Sequence, residues 1–177
     1  DEGFLKIGDY ATFIEHNDIS RGLKFAGRLA EEFKLANGTW VSGGTLKAEL
    51  IQTLSPLISD AVICGLNAEY LAVLVWLNRA TAERYFERNL PTTPEDLARD
   101  KELRSWIVEA VEEYNERSPG SSTRIKRIGF LIEPPSIDGH EISDKGTVNQ
   151  SVALQRRASD VERLYSEIPN DFVIILD

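Results

Sequence analysis

A lone lysine, Lys145, stands between an aspartate and a glycine in the polar stretch EISDKGTVNQ at residues 141–150. A lysine in such a loop is either a solvated surface charge or a positive charge that is brought to a reacting group. Lys145 has a long side chain and is followed in the chain by Gly146, which gives it a mobile base. It could therefore swing its ammonium group onto a phosphoryl group whose charge is being redistributed. Lys145 is therefore the first candidate for a catalytic residue.

Two further charged residues follow glycines near the ends of predicted strands. The Asp9 carboxylate could accept hydrogen bonds from two neighbouring hydroxyls, as on a ribose, or it could make a local turn bond to the backbone. The Arg28 guanidinium could hold a phosphate or a diol with two parallel hydrogen bonds, or it could pair with Glu31 or Glu32 on the surface. The residues alone leave both choices open.

Two other features could contact a ligand. Gly43 and Gly44 offer a backbone that a slender ligand could approach closely, because neither has a Cβ, but they could equally be a plain connection before a helix. The basic cluster RIKR at residues 124–127 is either a solvated strand edge or a phosphate anchor. The sequence contains no Walker-type phosphate loop, no Rossmann fingerprint and no nucleophile elbow.

The histidines and the cysteine do not suggest a metal or thiol centre. His16 and His140 lie in separate polar loops, without cysteines or paired acids at metal-binding spacing, so no metal site is predicted. Cys64, the single cysteine, lies in the apolar run DAVICG and is interpreted as a small core residue rather than a nucleophile or ligand.

The composition favours one globular core, or one core plus an appendage, and limits the classes of partner. Of the 177 residues, 42% are hydrophobic and 28% are charged, which is typical of a folded chain. The net charge of −9 disfavours a broad attraction to nucleic acid. No apolar run approaches the roughly 20 residues that span a bilayer, and no signal peptide is visible. We therefore expect no nucleic-acid partner, no membrane partner and a cytoplasmic location.

Strand and turn patterns dominate the first third of the chain. Residues 3–15 contain two apolar runs separated by a glycine and an aspartate, which predicts two short strands, and the polar stretch HNDISRG at 16–22 predicts a loop. An Asn-Gly pair at positions 37–38 lies between alternating apolar residues and predicts a β-hairpin. Thr45 is expected to cap the helix that follows the two glycines.

The remaining chain alternates strands with helices. The apolar runs AVIC and YLAVLVWL predict the middle strands of a sheet, and IKRIGFLIE and FVIIL predict two more strands. A short helix is predicted at 81–88 and a long one from Thr93. A last helix, with Ile168 on its apolar side, is expected to stop at Pro169. This order predicts an α+β fold, a small and mostly antiparallel sheet with flanking helices, preceded by a β-hairpin.

Five stretches of the sequence, taken in order, resemble the C-terminal portion of the adenylate-forming acyl-CoA synthetases. They are GFLKIGD, GLKFAGRLAEEFKLANGTWVSGG, DAVICGLN, RIKRIGFLIEPPSID and EISDKGTVNQ, and together they extend over nearly the whole chain. Within that superfamily, EEFKLANGTWVS and EPPSIDGHEISDKGTVNQ look most like the feruloyl-CoA synthetase branch, whose members activate hydroxycinnamic acids. The resemblance implies a lid domain at 28–177, preceded at 1–27 by a β segment that belongs to the end of a missing N-terminal domain.

The resemblance also implies a two-step ligase reaction. ATP and a carboxylic acid give an acyl-adenylate and pyrophosphate, and the thiol of coenzyme A then displaces AMP to give the thioester. The implied cofactors are ATP, coenzyme A and Mg²⁺, bound mainly by the N-terminal domain, which is also the implied protein partner. A feruloyl-type aromatic acid is the implied substrate. A fatty acid and a non-catalytic interaction module with the same fold are the alternatives, and the chain by itself is expected to be inactive.

The resemblance implies site roles only for the residues that match functional positions of the family. The aspartate that holds the ribose hydroxyls in the family matches Asp9, and the arginine that contacts the nucleotide near the domain junction matches Arg28. The loop lysine that bridges the carboxylate and the α-phosphate during adenylation matches Lys145. The predicted hairpin, together with Gly43 and Gly44, matches the face that forms the tunnel for the coenzyme A thiol.

The sequence departs from the family pattern at two places. The hinge position, usually an aspartate or a lysine, is Ala30, which leaves the identity of the hinge residue open. The usual serine-glycine-lysine context of the loop is replaced by serine-aspartate-lysine-glycine at 143–146. Asp144 could therefore pair with the lysine when the lid is withdrawn.

Overall fold

The computed structural model describes residues 8–16, 18–28 and 31–176, and for Tyr10 and residues 25–28 it describes the backbone without the side chain. The strands within these residues are β1 (Asp9–Glu15), β2 (Asp18–Arg28), β3 (Glu32–Lys34), β4 (Trp40–Ser42), β5 (Ile58–Cys64), β6 (Leu71–Leu77), β7 (Ile125–Phe130) and β8 (Val173–Ile175). The helices are α1 (Gly43–Leu54), α2 (Arg79–Phe86), α3 (Pro94–Ala98), α4 (Lys101–Arg117), α5 (Gln150–Arg156) and α6 (Ala158–Tyr165).

The central sheet has four strands in the order β5-β6-β7-β8. β5 pairs with β6 and β7 with β8 in antiparallel fashion, whereas β6 and β7 run parallel. Helices α2, α3 and α4 lie in the long crossover that a parallel pair requires. The mostly antiparallel sheet with flanking helices confirms the predicted α+β fold. β5, however, lies at an edge of the sheet rather than in its middle, where its apolar sequence predicts it.

The central strand β6 is covered on both faces. Its Val73 lies in one apolar core with Leu50 of α1 and Ile107 of α4. Its Leu74 lies in a second core with Leu164 of α6. Burial on both faces explains why the sequence of β6 is apolar without interruption, since a strand with one solvated face would alternate with polar residues.

Two small hairpins precede the sheet. β3 and β4 pair around the Asn-Gly turn, where Gly38 has φ +84°, so the predicted hairpin is confirmed. β1 pairs with β2 from Asp9 to Glu15. The predicted polar loop at 16–22 is wrong for residues 18–22, which extend β2; an ion pair of 2.9 Å between Glu15 and Arg21 joins the two strands there. The strand predicted before Gly8 lies outside the described residues.

Two helices start earlier than predicted. α1 begins at Gly43, so Thr45 lies inside the helix instead of capping it. α2 begins at Arg79, because the Asn78 side chain accepts the Thr81 N–H. α1 thus starts three residues earlier than a helix capped by Thr45 would, and α2 starts two residues earlier than predicted.

The long helix predicted from Thr93 is divided, and a separate helix precedes the predicted last one. Asp100 accepts the Leu103 N–H and caps α4, which separates α4 from the short α3 that Thr93 caps. α5 and α6 meet at Arg157. Ile168 lies beyond α6 and is 88% exposed, so its predicted place on the apolar side of the last helix is wrong.

Candidate functional site

Lys145 lies at the tip of a tight turn within residues 142–148, which we call the Lys145 hairpin. The Ser143 carbonyl accepts the Gly146 N–H at 2.8 Å, and Gly146 has φ +77°, a conformation that glycine adopts without strain. The Ser143 N–H donates to the Thr147 carbonyl, also at 2.8 Å. The turn therefore presents Lys145 to solvent on a narrow, hydrogen-bonded support.

The first leg of the Lys145 hairpin starts from a buried carboxylate. Glu141 is fully buried and accepts two parallel hydrogen bonds from Arg157, at 2.8 and 2.9 Å, and one from the Ser136 N–H at 2.7 Å. Burial would raise the pKa of the Glu141 carboxyl, but the hydrogen bonds from Arg157 and Ser136 outweigh it and hold the pKa below its ordinary value. Glu141 therefore stays ionised and fixes the start of the hairpin.

The second leg is held through the backbone N–H and the backbone carbonyl of Val148. The Val148 N–H donates to the Asp60 carboxylate at 3.0 Å, and the Val148 carbonyl accepts from the Lys47 amine at 3.2 Å. Lys47 and Asp60 are themselves paired at 2.7 Å, and both side chains are largely buried. This arrangement ties the second leg to α1 and to β5.

A side-chain amide completes the attachment. Gln150 begins α5 two residues after the Lys145 hairpin and is 8% exposed. Its Oε1 accepts the Ile63 N–H at 3.1 Å, and its Nε2 donates to the Ile63 carbonyl at 2.6 Å. Gln150 thus satisfies backbone groups on the edge strand β5 in the way that a neighbouring strand would.

A groove of about 470 Å³ lies beside the Lys145 hairpin. Its walls include Lys145, Thr147, Lys47 and Glu31. Lys145 is exposed, and none of the ion pairs found within the described residues involves it, so its amine is available to a ligand in this groove. The other lysine of the groove, Lys47, is occupied by Asp60.

Gly43 and Gly44 form the first turn of α1, where they pack against Glu31. A Cβ on Gly43 would overlap the Glu31 carbonyl oxygen, and a Cβ on Gly44 would overlap the Glu31 carboxylate. The glycines therefore permit a close approach of the chain segment before β3 to α1. Glu31 also lines the groove of Lys145, so the glycine turn packs against a residue of that groove.

Asp9 and Arg28 face each other at the open end of the first hairpin. Their Cα atoms are partners in the β1–β2 pairing, and Asp9 is exposed. The Arg28 side chain lies outside the described part of the structure, as does the whole of Ala30. The backbone thus brings together the two residues predicted to bind the nucleotide.

Two other residues that the sequence singled out, Arg127 and Cys64, take part in the fold. Arg127 of the basic cluster donates to the Leu164 and Ser166 carbonyls at 2.8 and 2.7 Å, at the end of α6. Cys64 is buried, as predicted, and burial raises the pKa of its thiol to about 12.

Among the described residues, no group of three or more histidine, cysteine or acidic side chains is arranged to hold a metal ion. Nor do these residues contain a helix with the length and apolar character to cross a membrane.

Sequence reasoning missed the side chains that hold the Lys145 hairpin. These residues are Lys47, Asp60, Glu141, Gln150 and Arg157. No local motif marks them, because each acts on a residue distant in sequence. The available clue was the position of Glu141 and Gln150 at the two ends of the same polar stretch as the lysine.

The family described as "AMP-binding enzyme C-terminal domain" matches residues 31–169. This chain belongs to that family. The match includes both glycines of the α1 turn and the entire Lys145 hairpin, whereas Asp9 and Arg28 precede it. The Lys145 hairpin and its anchors are thus part of an AMP-binding enzyme C-terminal domain.

Two curated relatives of this C-terminal domain are long-chain-fatty-acid–CoA ligases. The chain is 27% identical over 169 residues to FadD15 of Mycobacterium tuberculosis, covering 94% of this chain and 27% of that protein. It is 24% identical over 183 residues to ACSBG2 of Mus musculus, covering 93% of this chain and 27% of that protein. The chain therefore spans about a quarter of the length of these relatives.

Solved structures share the fold. The adenylation domain of a carboxylate reductase from Mycobacterium chelonae matches with a TM-score of 0.66 and 24% identity, over 93% of this chain and 24% of that one. The A-PCP didomain of the carboxylic acid reductase from Segniliparus rugosus, solved in complex with AMP, matches with a TM-score of 0.67 and 20% identity, over 94% of this chain and 21% of that one. At these identities the likeness shows the fold of an AMP-binding enzyme C-terminal domain.

Proposed function

We propose that this chain is the lid of an ATP-dependent acid–CoA ligase, with residues 28–177 forming the lid and residues 1–27 the end of a preceding domain. The observation that carries the proposal is the exposed Lys145 amine on a hairpin whose legs are both anchored in a domain of this family. The names of the two curated relatives, both CoA ligases, support the same reaction class.

In the proposed first half-reaction, an oxygen of the carboxylic acid attacks the α-phosphorus of ATP and pyrophosphate leaves. The Lys145 ammonium lies between the carboxylate and the α-phosphate and offsets the negative charge that they share. The Asp9 carboxylate accepts hydrogen bonds from the ribose hydroxyls, and the Arg28 guanidinium contacts the nucleotide. Positioning and charge stabilisation supply the catalysis, without a covalent enzyme intermediate.

The preceding domain is the proposed site of Mg²⁺ and of most contacts to ATP. Acidic side chains of the described residues are not grouped in a way that fits a metal ion. When bound, Mg²⁺ would neutralise charge on the phosphates. This chain would contribute the lysine, the aspartate and the arginine, and the preceding domain, its proposed partner, would contribute the opposing wall.

In the proposed second half-reaction, the thiol of coenzyme A attacks the acyl carbonyl and AMP leaves. The lid turns between the two steps, so that Lys145 is withdrawn and the face carrying Gly43 and Gly44 lines the thiol tunnel. The hinge lies near Ala30. A charge that is needed in only one step is well placed on a domain that can move it away.

The acyl substrate has two candidates. The stretches EEFKLANGTWVS and EPPSIDGHEISDKGTVNQ favour a feruloyl-type aromatic acid, through their resemblance to that branch. The names of FadD15 and ACSBG2 favour a long-chain fatty acid. We propose the aromatic acid first, the fatty acid second, and a cytoplasmic location for the enzyme.

Acid-dependent exchange of labelled pyrophosphate into ATP tests this function in the enzyme that carries this chain. The panel contains ferulate, other aromatic acids and long-chain fatty acids, with a reaction lacking acid as the control. We expect exchange above the control, fastest with ferulate. Exchange with fatty acids alone would select the second substrate, and no exchange with any acid would contradict the ligase and favour a non-catalytic module.

A further inference from the structure

Gln150 connects the Lys145 hairpin to the edge of the central sheet. Its side-chain amide makes a reciprocal pair of hydrogen bonds with Ile63, at 3.1 Å from the N–H and 2.6 Å to the carbonyl. Ile63 is buried in β5, whose opposite edge pairs with β6. The amide therefore binds a strand that the sheet itself holds in place.

The position of Gln150 in the chain makes this contact important for Lys145. Gln150 follows the hairpin by two residues and lies next to Asn149, whose N–H donates to the Glu141 carbonyl at 2.8 Å. A displacement of Gln150 is thus passed to both legs of the hairpin. A shift of about 1 Å in a group that contacts the reacting atoms can lower a rate roughly 100-fold.

We propose that Gln150 is a positioning residue for Lys145: its pair of bonds to Ile63 fixes the hairpin so that the amine moves only with the whole domain. This inference rests on the proposed function for the role of the amine. Gln150 itself touches no reacting atom. Its loss should therefore affect the half-reaction that uses Lys145 and leave the other one largely unchanged.

The chain offers a matched control in Asn115. Its side-chain amide makes the same reciprocal pair with a buried strand residue, donating to the Ile125 carbonyl at 2.8 Å and accepting the Ile125 N–H at 2.8 Å. Asn115 lies in α4 and is 4% exposed, and the hydrogen bonds of its side chain go to Ile125 rather than to the Lys145 hairpin. Loss of its amide removes the same kind of bonds without affecting the lysine.

The experiment compares Gln150→Met with Asn115→Leu in the enzyme that carries this chain, since both changes keep the side-chain size and remove the hydrogen bonds. Adenylation is measured by acid-dependent pyrophosphate exchange, and thioester formation is measured from supplied acyl-adenylate. Hydrogen exchange by mass spectrometry reports on the peptide that contains residues 142–148. Lys145→Ala in the same assays tests the proposed function separately.

We expect Gln150→Met to slow adenylation roughly 10- to 100-fold, to change thioester formation less than about twofold, and to speed exchange in the hairpin peptide. Asn115→Leu should leave the ratio of the two half-reactions and the exchange of that peptide unchanged. Equal losses in both half-reactions, or faster exchange without slower adenylation, would overturn the positioning role. If Lys145→Ala spares adenylation, the assigned role of the lysine fails instead, whatever the exchange shows.

Discussion

Two hairpins carry the proposed nucleotide contacts, and they are anchored in opposite ways. The base of the Lys145 hairpin contains fully buried Glu141 and largely buried Gln150, each with several hydrogen bonds to the body. The β1–β2 hairpin instead exposes apolar side chains. Phe13 and Leu23 are opposite each other in the pairing and are 49% and 61% exposed.

The difference bears on which hairpin belongs to the proposed lid. The polar anchors tie the Lys145 hairpin to the body of the domain, so under the proposal its amine is delivered and withdrawn only by motion of the whole domain. The apolar side chains of the β1–β2 hairpin suit a surface that packs against another part of the enzyme. This fits the proposal that residues 1–27, with Asp9, belong to the preceding domain.

The largest expected effect on stability comes from breaking the polar anchor. Glu141→Ala leaves the Arg157 guanidinium buried without its carboxylate, and we expect the free energy of unfolding to fall by about 3–5 kcal/mol. Denaturation with urea measures the change. The matched control is Glu133→Ala, because Glu133 contacts the same guanidinium at 3.3 Å but is 85% exposed on its side chain. We expect that control to cost less than about 1 kcal/mol.

A loss from Glu141→Ala no greater than that from the control would contradict the rigid attachment of the Lys145 hairpin. It would mean that the buried bonds to Arg157 and Ser136 contribute little to the fold. The contrast between the two hairpins would then disappear.

The smallest expected effect comes from the apolar surface of the other hairpin. Phe13→Ala in this chain should lower the free energy of unfolding by less than about 0.5 kcal/mol, because the ring is half exposed. Phe130→Ala is the matched control, since that ring is 4% exposed within the core and its loss should cost about 3–5 kcal/mol. Urea denaturation compares the two variants. Similar losses would show that Phe13 is packed within this chain and would contradict the contrast between the two hairpins.

Local patterns predicted the elements that depend on neighbouring residues. The uninterrupted apolar run of β6 and the Asn-Gly turn of β3–β4 are both present as predicted. The division into α3 and α4 was missed, because the sequence does not distinguish Asp100, which caps α4, from an ordinary polar residue within a helix. The edge position of β5 was missed because a side chain 87 residues further along, Gln150, covers it.

The candidate site shows the same contrast between features that local patterns predict and features that depend on distant contacts. The lysine and the glycine turn were predicted from the sequence; in the structure Lys145 lines a groove, and the glycine turn packs against Glu31, another residue of that groove. The anchors could not be found in this way, since Lys47 bonds to a carbonyl 101 residues away and Arg157 reaches Glu141 from 16 residues away. Spacing predicts which residues could do chemistry, whereas tertiary contacts decide how firmly they are held.

The most direct test of the central claim is to replace Lys145 with alanine in the enzyme that carries this chain and to measure the two half-reactions separately. Loss of one charge-stabilising donor should slow adenylation roughly 100- to 1,000-fold, while thioester formation from supplied acyl-adenylate is retained. Lys101→Ala, at an exposed lysine at the start of α4, is the control and should change neither step. Equal loss in both half-reactions, or no loss of adenylation, would contradict a cation that the lid delivers for one step only.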